Sequence, residues 1–171
     1  SVCSPSRAGF LTGRYSQRFG YERNAQYQPD DSLMGLAQDE KTLAEVLSPL
    51  NYKSGIIGKW HLGAHKSNHP LNRGFDEFFG HLGGGHSYFP ENLTIENSYL
   101  INTERESYRT YIMRNHVPVK TTKYLTDEFS EEALRFVEKH QEEPFFLFLS
   151  YNAPHGPLEA TEKYLSRFAN I

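Results

Sequence analysis

The chain twice repeats the order of an amphipathic helix, a short apolar strand and a polar loop. The letters TLAEVLSPL (residues 42–50) combine a Thr-to-Glu capping box with apolar residues at helical spacing, and YKSGIIGKW (residues 52–60) follows as a strand. The letters PFFLFLSYN (residues 144–152) predict a second strand, covered on both sides. An amphipathic helix at residues 126–140 precedes it, with four residues predicted on its buried face, namely Phe129, Ala133, Phe136 and Val137. This alternation predicts an α/β fold, in which a mostly parallel sheet is flanked by helices.

The other segments predict shorter elements. A short helix is expected to start near Pro5 and end near Gly13, and another covers residues 160–168. Residues 62–91 are rich in Gly, His and aromatic side chains, which predicts a long loop with one helical turn at FDEFF (residues 75–79). We also expect a hairpin-like pair of strands in two further segments, SYLIN (residues 98–102) and HVPVK (residues 116–120).

Length, charge and composition exclude several classes of protein. The 171 residues are 37% hydrophobic, which suits one domain with a real core. The net charge is −3, with 18 basic and 21 acidic residues spread along the chain, so nucleic acid is not an expected partner. No apolar stretch approaches the roughly 20 residues of a membrane span. The single cysteine, Cys3, cannot form an internal disulfide.

Polar side chains follow the two predicted strands at the point where each ends. Lys59 and His61 come at or just after the first strand, and His155 follows the second. Ligands of open parallel sheets bind beyond the carboxyl ends of the strands, so these side chains should share one rim. A lysine and two histidines on one rim predict a site that handles anions and protons.

Cys3 has two interpretations. A free cysteine is commonly a buried and inert apolar residue. A reactive cysteine instead requires an electropositive setting near a helix N-terminus. Arg7 lies one helical turn beyond Cys3, and Pro5 favours a helix start between them. The residues near Cys3 leave both interpretations open.

Four segments together resemble the type I sulfatases of the alkaline-phosphatase-like superfamily. CSPSRAGFLTGR (residues 3–14) resembles the first family signature, and GKWHLG (residues 58–63) resembles the second. RGFDEFFG (residues 73–80) resembles a stretch common after the second signature, and APHGP (residues 153–157) a segment with an active-site histidine. Because the segments occur in the family's order and span nearly the whole chain, the resemblance favours the reactive interpretation of Cys3.

The resemblance implies a role for each of five residues. In the family a maturation enzyme oxidises the cysteine to Cα-formylglycine, whose hydrate is the nucleophile and a metal ligand, and here that residue is Cys3. Arg7 resembles the arginine that hydrogen-bonds the hydrate, and Lys59 resembles the lysine that contacts the sulfate. His61 resembles the histidine proposed as a base, and His155 resembles the histidine near the leaving oxygen. The implied reaction is the hydrolysis of sulfate esters of carbohydrates or aryl alcohols.

The resemblance also implies a cofactor and a place in a longer protein. The family binds calcium, sometimes assigned as magnesium, through further carboxylate and amide ligands that this sequence does not supply. One ligand cannot hold calcium, so residues 1–171 are expected to be the central part of a sulfatase catalytic domain and inactive alone. The expected location is periplasmic, secreted or lysosomal, with a sulfated small molecule or glycan as substrate.

Specificity and alternative functions stay open at this point. His86, Tyr88 and Arg105 are candidate sugar contacts, although each could equally be an ordinary loop residue. A phosphoester or phosphonate-ester hydrolase of the same superfamily is the second hypothesis. A third is an inactive, anion-binding fragment with unmodified Cys3.

Overall fold

The computed structural model describes residues 2–93 and 110–169. A mixed sheet of five strands has the order β4-β3-β2-β1-β5. β1 pairs in parallel with β2 and with β5, whereas β3 is antiparallel to both β2 and β4. The strands are β1 (Lys53–Lys59), β2 (Glu77–His81), β3 (Met113–Arg114), β4 (Val117–Pro118) and β5 (Phe145–Ser150). The α/β prediction with a mostly parallel core is confirmed.

The described residues form four α-helices beside the sheet: α1 (Cys3–Thr12), α2 (Leu43–Leu47), α3 (Leu125–His140) and α4 (Glu162–Leu165). α1 begins at Cys3, two residues earlier than expected, and ends at Gly13, whose φ of 64° is left-handed. The predicted capping box caps the N-terminus of α2. The Thr42 side chain accepts a hydrogen bond from the Glu45 amide, and the Glu45 carboxylate accepts one from the Thr42 amide. Short 3₁₀ helices occupy Ser16–Phe19, Ser48–Leu50, Lys66–Asn68, Pro70–Asn72, Pro90–Asn92 and Ser166–Phe168.

The segment FDEFF was wrongly predicted as a helical turn and forms most of β2. Phe78 and Phe79 point to opposite faces of the sheet, where each joins a different core cluster. They pair in parallel with Ile56 and Ile57 of β1. Burial on both faces of a sheet therefore outweighs the weak helical pattern of this segment.

Three other expectations need adjustment. Phe129, Ala133 and Phe136 are buried as predicted, but Val137 is 37% exposed, and Leu125, Glu132 and His140 are also buried on α3. β5 is half-buried and not covered on both sides, since Leu149 is 37% exposed and β1 is its one strand partner within the described residues. HVPVK contains β4 of a β3–β4 hairpin, whereas SYLIN lies outside the described residues.

The two faces of the sheet carry separate cores. Because β1 and β5 are parallel neighbours, their carboxyl ends lie at the same edge of the sheet. One core includes Ala8 of α1 and Ala44 of α2, and the other includes Phe129 and Phe136 of α3. The first residue of α1 and the loops after β1 and β5 therefore meet at this edge. Within residues 2–93 and 110–169, no helix is long and apolar enough to cross a membrane.

Candidate active site

A pocket of about 420 Å³ opens at the carboxyl edge of the sheet. Four of the five residues proposed for catalysis line it: Cys3, Arg7, Lys59 and His155. Its other lining residues are Ser6, Tyr151, Asn152 and Pro154. The rule that ligands bind beyond the strand ends thus accounts for the position of the pocket.

Cys3 is the first residue of α1, and its side chain is partly exposed. The next residue fixes this helix start: the Ser4 amide donates to Asn24 Oδ1 at 2.9 Å, and the Ala25 amide donates to Ser4 Oγ at 3.1 Å. The position of Cys3 is therefore set by a braced helix terminus and not by burial of its own side chain.

Arg7 is held by the ends of two strands. Its Nε donates to the Trp60 carbonyl at 2.8 Å, and its Nη2 donates to the Lys59 carbonyl and to Ser150 Oγ. The guanidinium also lies over the Phe148 ring, 5.7 Å from the centroid. Burial lowers the pKa of Arg7 to about 10, so the side chain remains a cation at neutral pH.

Lys59 brings a second positive charge next to Cys3. The residue is only 3% exposed, and this burial lowers the pKa of its ammonium, with a hydrogen bond and charge of the Cys3 side chain acting in the opposite direction. A buried cation with few partners is stabilised by any anion that enters the pocket. Lys59 and Arg7 together therefore make the pocket an anion site.

His61 does not line this pocket but lies close enough to be affected by its charges. Burial, followed by the positive charge of Lys59, lowers the pKa of His61 to about 3, so its ring is neutral. Its Nε2 lies 3.1 Å from the Ala25 carbonyl, which can only accept, and therefore carries the proton. Its Nδ1 is buried and has no hydrogen-bond partner in the described part of the chain. Nδ1 therefore carries a lone pair, and the lowered pKa makes it a weak base.

His155 is exposed at the mouth of the pocket. Its Nδ1 lies 2.8 Å from the Gly156 carbonyl, which leaves Nε2 for other partners. Its backbone is held on both sides, because its amide donates to the Asn152 carbonyl at 2.8 Å and its carbonyl accepts from the Tyr88 hydroxyl at 2.7 Å.

Two of the three candidate sugar contacts, His86 and Tyr88, do not line this pocket. His86 is fully buried, with Nδ1 3.1 Å from the Ser87 carbonyl and Nε2 2.7 Å from the Thr110 carbonyl. Tyr88 is also buried, and Arg105 lies outside the described residues. A contact between His86 and substrate stays a prediction, and the burial of its ring favours a structural role.

Sequence reasoning did not identify two residues that support the site. Ser150 binds Arg7, and Gly84 packs against the ring of His61. A Cβ on Gly84 would lie 2.7 Å from His61 Cε1, so only glycine fits without a shift of the ring. The polar residue that ends an apolar strand was a usable signal for Ser150, whereas nothing in the letters HLGGGH distinguishes Gly84 from its neighbours.

The described residues alone do not form a metal site. Residues 2–93 and 110–169 contain no group of three or more His, Cys, Asp or Glu side chains that could hold a metal ion. A hard cation such as calcium needs several oxygen ligands, and the thiol of Cys3 is not one of them.

Known proteins resemble this chain over nearly its whole length. A family model described as Sulfatase matches residues 1–171. N-acetylgalactosamine-6-sulfatase from Canis lupus familiaris is 36% identical over 177 residues, covering 96% of this chain and 33% of that protein. Arylsulfatase G from Homo sapiens is 38% identical over 181 residues, covering 95% of this chain and 34% of that protein. The chain thus spans about a third of the length of these curated relatives.

Solved structures give the same result for the fold. The crystal structure of Ps i-CgsB matches with a TM-score of 0.86 and 40% identity, covering 99% of this chain and 38% of that chain. A second structure holds Ps i-CgsB in complex with k-i-k-neocarrahexaose, with a TM-score of 0.85. The structural neighbours are sulfatases of the alkaline-phosphatase-like fold. With a family model over its whole length and relatives above 30% identity, the chain belongs to the sulfatase family.

Proposed function

We propose that the protein hydrolyses sulfate esters of carbohydrates, with Cys3 converted to Cα-formylglycine as the nucleophile. The observation that carries the proposal is the pocket in which Cys3, Arg7, Lys59 and His155 meet. A sugar substrate is supported by the name of the N-acetylgalactosamine-6-sulfatase and by the saccharide bound to Ps i-CgsB.

The first chemical step is attack on sulfur by one hydroxyl of the hydrated aldehyde at position 3, which loses its proton to solvent as its oxygen attacks. A new bond forms between that oxygen and sulfur, while the bond from sulfur to the alcohol oxygen breaks. Arg7 and Lys59 stabilise the negative charge on the sulfuryl oxygens. Protonated His155 donates its Nε2 proton to the departing alkoxide, since its Nδ1 faces the Gly156 carbonyl.

The second step releases sulfate by elimination. The resemblance assigns to neutral His61, which lies outside the pocket lining, the role of accepting the proton of the remaining hydroxyl. The electron pair of that O–H bond forms the C=O bond of the aldehyde, and the bond from carbon to the sulfated oxygen breaks. Water then hydrates the aldehyde again. A serine at position 3 would lack the second hydroxyl and would remain sulfated.

Calcium, or magnesium, belongs to the proposal as a family property. Bound at the pocket, such a cation would lower the pKa of the nucleophilic hydroxyl and neutralise sulfate charge. Position 3 would supply one ligand, and the others would have to come from residues other than those described. The proposal also requires a maturation enzyme that oxidises Cys3, and a periplasmic, secreted or lysosomal location is the accompanying expectation.

The function is tested on the full-length protein with matched aryl sulfate and aryl phosphate substrates. We expect turnover of the sulfate, accompanied by a loss of about 18 Da in the peptide that contains Cys3, as the replacement of a thiol by an aldehyde requires. Faster hydrolysis of the phosphate would favour the phosphoester alternative. A fully converted protein that hydrolyses neither ester would refute the proposal.

Replacing Tyr88 with phenylalanine is expected to weaken the positioning of His155. The substitution removes the 2.7 Å hydrogen bond to the His155 carbonyl while it preserves the buried ring. A hydrogen bond of this kind contributes about 0.5 to 1.5 kcal/mol, which corresponds to a loss of roughly 2- to 12-fold in kcat/KM. We expect this loss on a sugar sulfate and a smaller one on an activated aryl sulfate, whose leaving group needs no proton.

Tyr124→Phe is the matched control for this prediction. The Tyr124 hydroxyl donates to the Glu159 carbonyl, also at 2.7 Å and in the same loop but away from His155. We expect its kinetic effect to be smaller and equal on both substrates. Identical profiles for the two variants would show that Tyr88 stabilises the loop in general and does not position His155.

A further inference from the structure

The hydroxyl of Ser150 lies where three elements of the site meet. Ser150 is the last residue of β5 and is 5% exposed. Its Oγ donates to the Lys59 carbonyl, at the end of β1, at 2.9 Å. The same Oγ accepts from Nη2 of Arg7 on α1. One hydroxyl thus links the segments that carry Arg7, Lys59 and, five residues further along the chain, His155.

The pattern of hydrogen bonds determines the orientation of the Arg7 guanidinium. Nε donates to the Trp60 carbonyl, and Nη2 donates to both the Lys59 carbonyl and Ser150 Oγ. The edge of the guanidinium formed by Nε and Nη2 is therefore occupied by the protein. Within the described residues no such bond is made by Nη1, which leaves that nitrogen for an anion in the pocket.

The backbone around Ser150 cannot readily adjust to the loss of the hydroxyl. β1 and β5 approach so closely that a Cβ on Gly58 would lie 2.0 Å from the Ser150 carbonyl oxygen, and Gly58 has a φ of +112°. The Lys59 carbonyl accepts from both Arg7 and Ser150, so these three groups form a closed set of hydrogen bonds. Without the hydroxyl, one donor of a buried cation loses its acceptor.

We propose that Ser150 is a positioning residue, which orients Arg7 toward the nucleophile and the sulfate group. The proposal rests on the proposed sulfatase function, because Arg7 acts there on the transferring group. It assigns no contact between Ser150 and substrate. Ser150 would act equally on every sulfate ester, whatever its leaving group.

The test compares Ser150→Ala and Ser150→Thr with Ser130→Ala in the matured, full-length protein. Ser130 is the matched control because its Oγ also makes two hydrogen bonds, to the Thr126 carbonyl and the Tyr151 hydroxyl. We expect Ser150→Ala to lower kcat/KM by about 10- to 100-fold, as for a lost hydrogen bond to a charged group, on sugar and aryl sulfates alike. Ser150→Thr retains the hydroxyl, so its kcat/KM should stay within about threefold of that of the matured protein without substitutions. The same is expected of Ser130→Ala.

A double-mutant cycle separates positioning from general stability. In an Arg7→Ala background the Ser150→Ala substitution should lower kcat/KM by less than about threefold, because the guanidinium that Ser150 orients is absent. Fully additive losses would overturn the proposal.

A crystal structure of Ser150→Ala supplies a readout that does not depend on activity. We expect the Arg7 guanidinium to leave the Lys59 carbonyl and adopt another rotamer. If the protein hydrolyses no sulfate ester, the proposed function fails, but this structure still decides whether Ser150 holds Arg7. An unmoved Arg7 overturns the positioning role, whatever the kinetics.

Discussion

Cys3→Ala in the full-length protein is expected to abolish turnover of sulfate esters while the fold remains intact. Removal of a catalytic nucleophile lowers kcat by roughly 10⁴- to 10⁶-fold in well-studied hydrolases. Cys3 is partly exposed on the first turn of α1, and the start of the helix is braced by Ser4. The free energy of unfolding should therefore change by about 1 kcal/mol or less.

Cys3→Ser is the informative companion to this variant. Its single hydroxyl can attack sulfur once, but it has no second hydroxyl through which the sulfated intermediate can collapse. We expect at most one turnover and a protein that carries one added sulfuryl group in its intact mass. Loss of folding in Cys3→Ala together with activity would instead support an inert structural thiol and remove Cys3 from the mechanism.

The architecture was largely predictable because hydrophobic periodicity reports which faces are buried. The helix at residues 126–140 and the strands before Lys59 and Asn152 follow from that pattern alone. β2 was missed because five residues with adjacent Phe78 and Phe79 fit either a short helix or a strand buried on both faces. Only the pairing with β1 decides between these two structures.

The positions of the candidate site residues were predictable for a different reason. The carboxyl-end rule predicted Lys59, His61 and His155 on one edge, and the resemblance to sulfatases added Cys3 and Arg7, although His61 does not line the pocket. Ser150 was not predicted, because its role depends on a hydrogen bond to a residue 143 positions away in the chain. Gly84 depends likewise on the packing of a loop against the His61 ring. The strand-ending position of Ser150 was visible in the sequence, but the distant partners of Ser150 and Gly84 were not.

The different environments of the two site histidines support different chemical roles. His61 is buried, and its pKa is lowered to about 3, so its ring is neutral at neutral pH. His155 is exposed at the mouth of the pocket, where its ring is in contact with solvent. A site with one base and one acid needs this separation, because two histidines in the same environment would compete for the same protonation state.

His155→Ala is expected to slow hydrolysis of a sugar sulfate far more than hydrolysis of an activated aryl sulfate. General acid catalysis accelerates a reaction by roughly 100- to 10,000-fold, and a sugar alkoxide needs the proton whereas a nitrophenolate leaves unaided. We therefore expect a loss in this range in kcat/KM for the sugar sulfate and less than about tenfold for the aryl sulfate. His155→Gln is the control, because its amide can still donate a hydrogen bond to sulfate but cannot transfer a proton. If His155 is the acid, Gln and Ala should be equally slow on the sugar sulfate, whereas rescue by Gln on both substrates would assign His155 to sulfate binding.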